Sequence, residues 1–245
     1  MSPCRASDLL LRQPPNATPL VRQLARCLPT GAPAQTGRLD LAERLGQWLN
    51  VADAIALRSA HAAVATVGRQ SPRSAGVPAA SAQALQAEYG RVRALLTQSI
   101  RTRPSTRRPD PGDLDTERVL ALQQHQELQR RMALSVDALR QHTRQTLARG
   151  TPRQAQIGAL DAALEQMLGG REQRLLGQVP AFLKARWAAL RTQAPLETGA
   201  QAADDGLAWL ERFHTEREQM LLAELDHRLL PVLGMIETLM ASVDA

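Results

Sequence analysis

The feature that most constrains the fold is the stretch 113–193, in which two helix-length patterns follow one another. Apolar or small residues recur mostly at steps of three, four or seven, a period typical of a helix with one buried face. At 1.5 Å per residue each helix would be about 55–60 Å long. The first pattern consists of Leu114, Ala121, Leu128, Met132, Ser135, Leu139 and Thr146, and the second of Ile157, Leu160, Leu164, Met167, Leu175, Val179, Leu183, Trp187 and Leu190.

Local signals place the ends of these two helices. Asp113 lies where an N-cap is expected and Gly150 follows the last turn of the first helix. Thr151 then serves as the N-cap of the second helix and Pro152 as its first residue. The second pattern contains Gly169-Gly170 and Pro180, and it favours one helix bent by Pro180, with a break at Gly169-Gly170 as the alternative.

The remaining sequence predicts an all-α protein. Only 2% of residues are aromatic and no alternating β-branched run occurs, so Leu, Ala, Val and Met must build the core. A last helix is predicted from Asp204 or Asp205 to about Ser242, kinked at Pro231. We expect an elongated antiparallel bundle of three long helices, with shorter N-terminal helices on one flank. The predicted inward face of the last helix is Leu207, Leu210, Phe213 or His214, Leu221, Leu225, Val232, Ile236 and Leu239.

Composition predicts one domain with an N-terminal extension. Residues 1–38 are interpreted as a mostly disordered arm carrying one short helix, Leu20 to Leu28, and residues 39–245 as a single helical domain with flexible linkers at 68–80 and 101–112. Inside the domain, a capping box formed by Asp40 and Glu43 starts a helix that runs to about Val67. Ser81 is predicted to cap the next helix, which turns inward Leu85, Tyr89, Val92, Leu96 and Ile100.

The cellular setting is inferred from cysteine usage and hydropathy. Cys4 and Cys27, the two cysteines of the chain, form neither a disulfide framework nor a zinc-ligand pattern. The N-terminus lacks the apolar segment of a signal peptide, and no apolar run approaches the roughly 20 residues that span a bilayer. These features predict a cytoplasmic protein without membrane insertion.

Charge is distributed unevenly along the chain. Residues 68–112 carry eight arginines against two acids, whereas residues 194–245 carry three arginines against ten acids. The basic segment suggests nucleic-acid or anion binding through Arg101, Arg103, Arg107 and Arg108. No aromatic residues are interleaved with these arginines and no nucleic-acid-binding motif surrounds them. The alternative is that the acidic last helix partly neutralises this segment.

The sequence contains no catalytic signature. Glu211…His214 and Glu224…His227 resemble the motif of di-iron bundles, but both lie on one helix about 20 Å apart and cannot share a metal pair. His125 is interpreted as a hydrogen-bonded residue of a helix seam. Lys184 would act as a Schiff-base lysine only if it were desolvated between Phe182 and Trp187. We predict no catalytic, cofactor or metal site and no small-molecule substrate.

The favoured functional hypothesis is a non-enzymatic scaffold or adaptor. Long amphipathic helices without site chemistry indicate binding to a protein partner or formation of a homo-oligomer. The candidate contacts with that partner are Trp48, Trp187 and Trp209.

Three segments carry a resemblance to a known family: AERLGQWLNVADAIAL at 42–57, LDAALEQMLGGREQRLLGQVPAFLKARW at 160–187, and MLLAELDHRLLPVLGMIETL at 220–239. On these residues the chain resembles an uncharacterised bacterial family, domain of unknown function 3348. The resemblance implies no activity, cofactor or catalytic residue. Genes of the family often neighbour genes for envelope proteins, so the resemblance points to a cytosolic accessory of a bacterial envelope complex.

Overall fold

The computed structural model describes residues 18–27, 51–70, 76–102, 113–193 and 208–241. Within these ranges the regular structure is helical and contains no strand, which confirms the all-α prediction. The helices are α1 Pro19–Cys27, α2 Val51–Gln70, α3 Ala79–Arg101, α4 Leu114–Ala148, α5 Pro152–Leu176, α6 Val179–Gln193 and α7 Ala208–Ala241.

The junction of α4 and α5 forms as its residues predict. Thr151 Oγ1 accepts a hydrogen bond from the backbone N–H of Gln154 at 3.3 Å, and Gln154 Oε1 accepts one from the backbone N–H of Thr151 at 2.8 Å. This reciprocal capping box satisfies two backbone donors that a helix start leaves unpaired, and Pro152 fits the first helical position because it has no N–H to satisfy.

The stretch 152–193 is not one helix, and its break is not at Gly169-Gly170. Helix α5 continues through both glycines and ends at Leu176, and α6 begins at Val179. The cause is Pro180, whose ring would clash with the carbonyl of Leu176 and which has no N–H to donate to it. Gln129 of α4 donates a hydrogen bond from Nε2 to that carbonyl at 3.3 Å, so a side chain of the neighbouring helix replaces the missing backbone bond.

Because Gly169 and Gly170 lie inside a continuous helix, replacing both by alanine is expected to stabilise the protein. A Cβ at Gly170 meets nothing within 4 Å, and one at Gly169 meets only the Glu165 side chain at 3.6 Å. Interior glycines cost a helix about 0.5–1 kcal/mol each relative to alanine. Urea unfolding should therefore show a gain of about 1–2 kcal/mol for the double variant.

The matched control for this prediction is Gly177→Ala, since a Cβ there lies 3.1 Å from the carbonyl oxygen of Gln173. That variant is expected to give no gain. A double variant at Gly169 and Gly170 no more stable than the native chain would contradict the continuous helix.

Two predicted boundaries need correction. Helix α3 begins at Ala79, after Pro78, so Ser81 lies in its first turn and is not the N-cap. Pro78, with φ fixed at −57°, precedes two alanines that favour helix, so the helix starts earlier in the chain than predicted. Helix α2 also extends to Gln70, into the predicted linker 68–80. The predicted capping box of Asp40 and Glu43 lies outside the described residues.

The core consists of two apolar clusters. The first joins α3, the second half of α4 and the second half of α7 around Leu85, Met132 and Leu225. The second joins α1, the start of α4, α6 and the first half of α7 around Trp187 and Phe213. Helix α1 belongs to this second cluster through Leu20 and Cys27, which are 7% and 2% exposed, so the predicted short helix of the N-terminal arm is part of the core.

Polar residues lie at the α4–α7 seam between the two clusters. We call this set, His125, Gln129, Arg217, Glu224 and Arg228, the polar belt. Glu224 is fully buried, and its carboxylate accepts hydrogen bonds from Gln129 at 2.8 Å and from Arg228 at 2.8 and 2.9 Å. Since a buried carboxylate is stable only when its oxygens are bonded, the belt fixes how α4 and α7 align.

Candidate functional site

Helix α5 turns a polar face toward α4. Asp161 is 9% exposed and receives hydrogen bonds from Arg140 at 2.7 and 2.9 Å and from Arg144 at 2.6 Å. Glu165, one turn later, pairs with the same arginines at 3.1 and 2.6 Å. Helices α4 and α5 are therefore joined by two arginines and two carboxylates. The members of each pair are four residues apart on their own helix.

The ionisation of this cluster follows from its contacts. Burial alone raises the pKa of Asp161, but hydrogen bonds and charge from Arg140 and Arg144 outweigh it, so the pKa of Asp161 lies below its ordinary value. For Arg140, burial opposes the charged form, yet the carboxylates raise its pKa. These shifts keep Asp161 and Arg140 charged near neutral pH, and the role of the cluster is to hold two helices together.

Next to this polar face, α5 carries exposed leucines. Leu160, Leu164, Leu168 and Leu175 are 45%, 38%, 43% and 57% exposed. With the half-buried Ile157, they recur at helical spacing along one side of α5, and we call these five residues the apolar stripe. A surface helix ordinarily buries its apolar residues and exposes its charges, so the orientation of α5 is reversed in the sense that Asp161 is buried while these leucines are exposed. Contiguous exposed apolar surface is typical of protein interaction sites.

Helix α2 lies beside the stripe. Asp53 accepts a hydrogen bond from Arg171 of α5 at 2.5 Å, and Gly68 near the other end of α2 contacts Gln156 near the start of α5, so the two helices run antiparallel. No residue of α2 whose side chain is described is buried. Leu57, one turn after Asp53 and 45% exposed, lies on the side of α2 nearest α5 and extends the apolar surface there, whereas Ile55, 63% exposed, is about 200° round the helix from Asp53 and points away from α5.

The histidines lie at helix contacts. His125 is fully buried in the polar belt, as expected of a seam residue, but neither ring nitrogen has a hydrogen-bond partner among the described residues, contrary to prediction. Burial, and to a smaller extent the charge of Arg217, lowers the pKa of His125 to about 3. Arg217, the charged neighbour of His125, donates a hydrogen bond to the carbonyl of Ala121 at 3.0 Å.

The two Glu-x-x-His motifs serve separate helix contacts. His214 lies 3.4 Å from Glu117 of α4, and His227 lies 3.5 Å from Glu172 of α5. A hydrogen bond from His227 is the main reason that the pKa of Glu172 is lowered. In the described part of the chain, no group of three or more His, Cys, Asp or Glu side chains is arranged to hold a metal ion.

Of the three predicted tryptophan contacts, Trp48 lies outside the described residues. Trp187 is 1% exposed and packs edge to face against Trp209 and Phe213, with ring centroids 5.0 and 4.8 Å apart. Its ring thus fills the second cluster and offers no surface to a partner, whereas Trp209 is half-buried. Lys184 is exposed and therefore not desolvated beside these rings.

Of the four arginines proposed for nucleic-acid or anion contact, Arg101 is described, whereas Arg103, Arg107 and Arg108 lie outside the described residues. Arg101 is exposed and lies 3.9 Å from Glu218 of α7, and Arg93 lies 3.0 Å from Asp226 of the same helix. Acids of α7 thus face two arginines of α3, as the alternative interpretation of the charge pattern predicts.

The residues that the sequence reasoning missed are Arg140, Arg144, Asp161 and Glu165. A signal for them was present: two basic residues four apart near the end of one helix, and two acids four apart near the start of the next. In a tight hairpin of helices these positions face each other.

Comparison with known proteins places the chain in a family. None of the described helices is both long and apolar enough to cross a lipid bilayer. No curated protein and no solved structure matches the chain. Residues 8–241, nearly the whole sequence, match the family described as "Protein of unknown function (DUF3348)", as the three quoted segments suggested. The chain therefore belongs to the DUF3348 family.

Proposed function

We propose that this protein is a non-enzymatic helical scaffold or adaptor of the bacterial cytoplasm, serving as an accessory of an envelope complex. The observation that carries the proposal is the reversed orientation of α5. Two of its carboxylates bind Arg140 and Arg144 within the fold, while its leucines face outward beside Leu57 of α2. Such a surface gains free energy when a partner covers it, because apolar area is removed from water.

The architecture suits such a role. We infer an elongated bundle in which α5 runs antiparallel to α4, since Arg140 near the end of α4 meets Asp161 in the first half of α5, whereas Gln129 meets Leu176 at its end. Helix α7 runs along α4 in the same direction, with Arg217 at Ala121 and Glu224 at Gln129. The charged clusters across these interfaces support a rigid frame on which α2 and α5 present their apolar surface.

The test is a tagged pull-down from native cell lysate, with soluble and envelope fractions, comparing the native chain with the variant Leu164→Glu/Leu168→Glu. We expect one protein recovered in near-equal amount with the native chain, lost with the variant and unaffected by nuclease. Leu95→Glu, which changes a 64% exposed leucine on α3, is the matched control and should keep the partner.

Two results would contradict the proposal. Recovery that does not depend on Leu164 and Leu168 would remove the role of the stripe. Recovery of nucleic-acid-binding proteins that disappears with nuclease would favour the arginine segment instead.

A further inference from the structure

We propose that the apolar stripe of α5 is covered by the α5 helix of a second copy of this chain, in antiparallel orientation. The inference rests on the proposed function, in which this stripe is a protein-binding surface, and names the first partner that it binds. Three properties of the described residues support it: the symmetry of the stripe, its charge pattern and its size.

Four of the five residues of the stripe are spaced symmetrically along the helix. The symmetric residues are Ile157, Leu164, Leu168 and Leu175, at intervals of seven, four and seven residues. In a heptad repeat the first two occupy d positions and the last two occupy a positions. When two identical helices lie antiparallel, Leu164 of each copy meets Leu168 of the other, and Ile157 meets Leu175. An interface with two-fold symmetry requires this self-complementarity, since each residue pair must occur twice.

The charged residues of the same seam agree with this arrangement. The intervening seam positions are occupied by Asp161 and Arg171, which the antiparallel register places opposite each other. Within its own chain Asp161 is bound by Arg140 and Arg144, and Arg171 is bound by Asp53. Asp161 is only 9% exposed and Arg171 is already paired, so neither residue brings an uncompensated charge into the seam. A parallel arrangement would place acid opposite acid and base opposite base.

The size of the surface is adequate for a reversible dimer. The stripe extends over about 27 Å of helix at 1.5 Å per residue. With α2 beside it, the surface is roughly 30 Å long and 20 Å wide, or about 600 Å² per copy, so a symmetric pair would bury about 1,200 Å², the lower end for specific interfaces. A dimer with a micromolar dissociation constant is the expected result.

The test is sedimentation velocity of the full chain from about 1 to 100 µM, a range chosen around a micromolar dissociation constant. We expect a monomer–dimer equilibrium for the native chain and for Leu95→Glu. Leu164→Glu/Leu168→Glu places like charges opposite each other twice and should weaken the dimer at least about 100-fold. Leu164→Glu/Leu168→Lys places Glu opposite Lys in the antiparallel register and should dimerise more strongly than the double glutamate variant.

Circular dichroism shows whether each variant keeps its helix content, and Leu164→Ala/Leu168→Ala replaces the double glutamate variant if that variant unfolds.

A native chain that stays monomeric at 100 µM, or a folded stripe variant that dimerises as the native chain does, overturns the inference. Equal weakening by the Glu/Glu and Glu/Lys pairs overturns the antiparallel register. A monomeric native chain that still captures a different protein through Leu164 and Leu168 overturns the dimer but keeps the proposed function. A native chain that forms the dimer but captures no other protein keeps the dimer and overturns the proposed function.

Discussion

Replacement of Asp161 by alanine is expected to lower the free energy of unfolding by about 3–5 kcal/mol, because it leaves two charges in the α4–α5 interface without their main partner. Arg140 and Arg144 have side chains only 13% and 14% exposed, and both hold Asp161. Glu165 still accepts from both arginines, but its side chain is 35% exposed and replaces only part of the lost interaction. Urea unfolding at neutral pH measures the loss.

The matched control is Asp226→Ala, since Asp226 pairs with Arg93 at 3.0 Å with side chains 46% and 53% exposed. Exposed ion pairs contribute about 0–1 kcal/mol, so this variant should be nearly neutral. Replacing three members of the cluster together, with Asp161→Leu, Arg140→Met and Arg144→Met, should recover most of the loss, because apolar side chains carry no desolvation cost and Glu165, 35% exposed, is solvated by water. Equal effects of Asp161→Ala and Asp226→Ala would show that the α4–α5 cluster is not buried.

The second large effect is expected at His125, as a dependence of stability on pH. The pKa of its buried ring is about 3 in the folded protein, against 6.5 as the ordinary value. Between these values the unfolded chain binds a proton that the folded chain does not, so the contribution is fully present above pH 6.5 and is lost as the pH falls toward 3. Relative to His125→Leu, the native chain should lose about 3 kcal/mol between pH 6.5 and 4, at about 1.4 kcal/mol per pH unit.

At pH 7 the His125→Leu variant should also be more stable than the native chain by about 1–3 kcal/mol. The substitution removes buried ring nitrogens that have no hydrogen-bond partner among the described residues. His61→Leu on exposed α2 is the control, and it should leave the pH profile unchanged. Native and His125→Leu profiles that run parallel from pH 6.5 to 4 would show that His125 is not buried in the native protein.

Local sequence signals predicted the helices well, because the interactions that start and end a helix involve residues close to each boundary. The capping box of Thr151 and Gln154 and the periodicity of α4 depend on hydrogen bonds and side chains of one helix. The break before Pro180 was predicted only as a bend. A full break leaves the carbonyl of Leu176 without its backbone partner, and the hydrogen bond that replaces it comes from Gln129 of another helix. Likewise, the depth at which Trp187 lies is set by α7, which is remote in sequence.

The candidate site was predicted least well, and α5 shows why. Its leucines were assigned to the core because apolar periodicity shows that a helix has two faces but not which face turns inward. Arg140 and Arg144 on α4 decided this by binding Asp161 and Glu165. The sequence by itself determined the helical class, the family, the cap at Thr151 and the uneven charge, all of which depend on neighbouring residues. Only the tertiary structure decided which side of α5 faces solvent, because that choice depends on charged partners brought together by the fold.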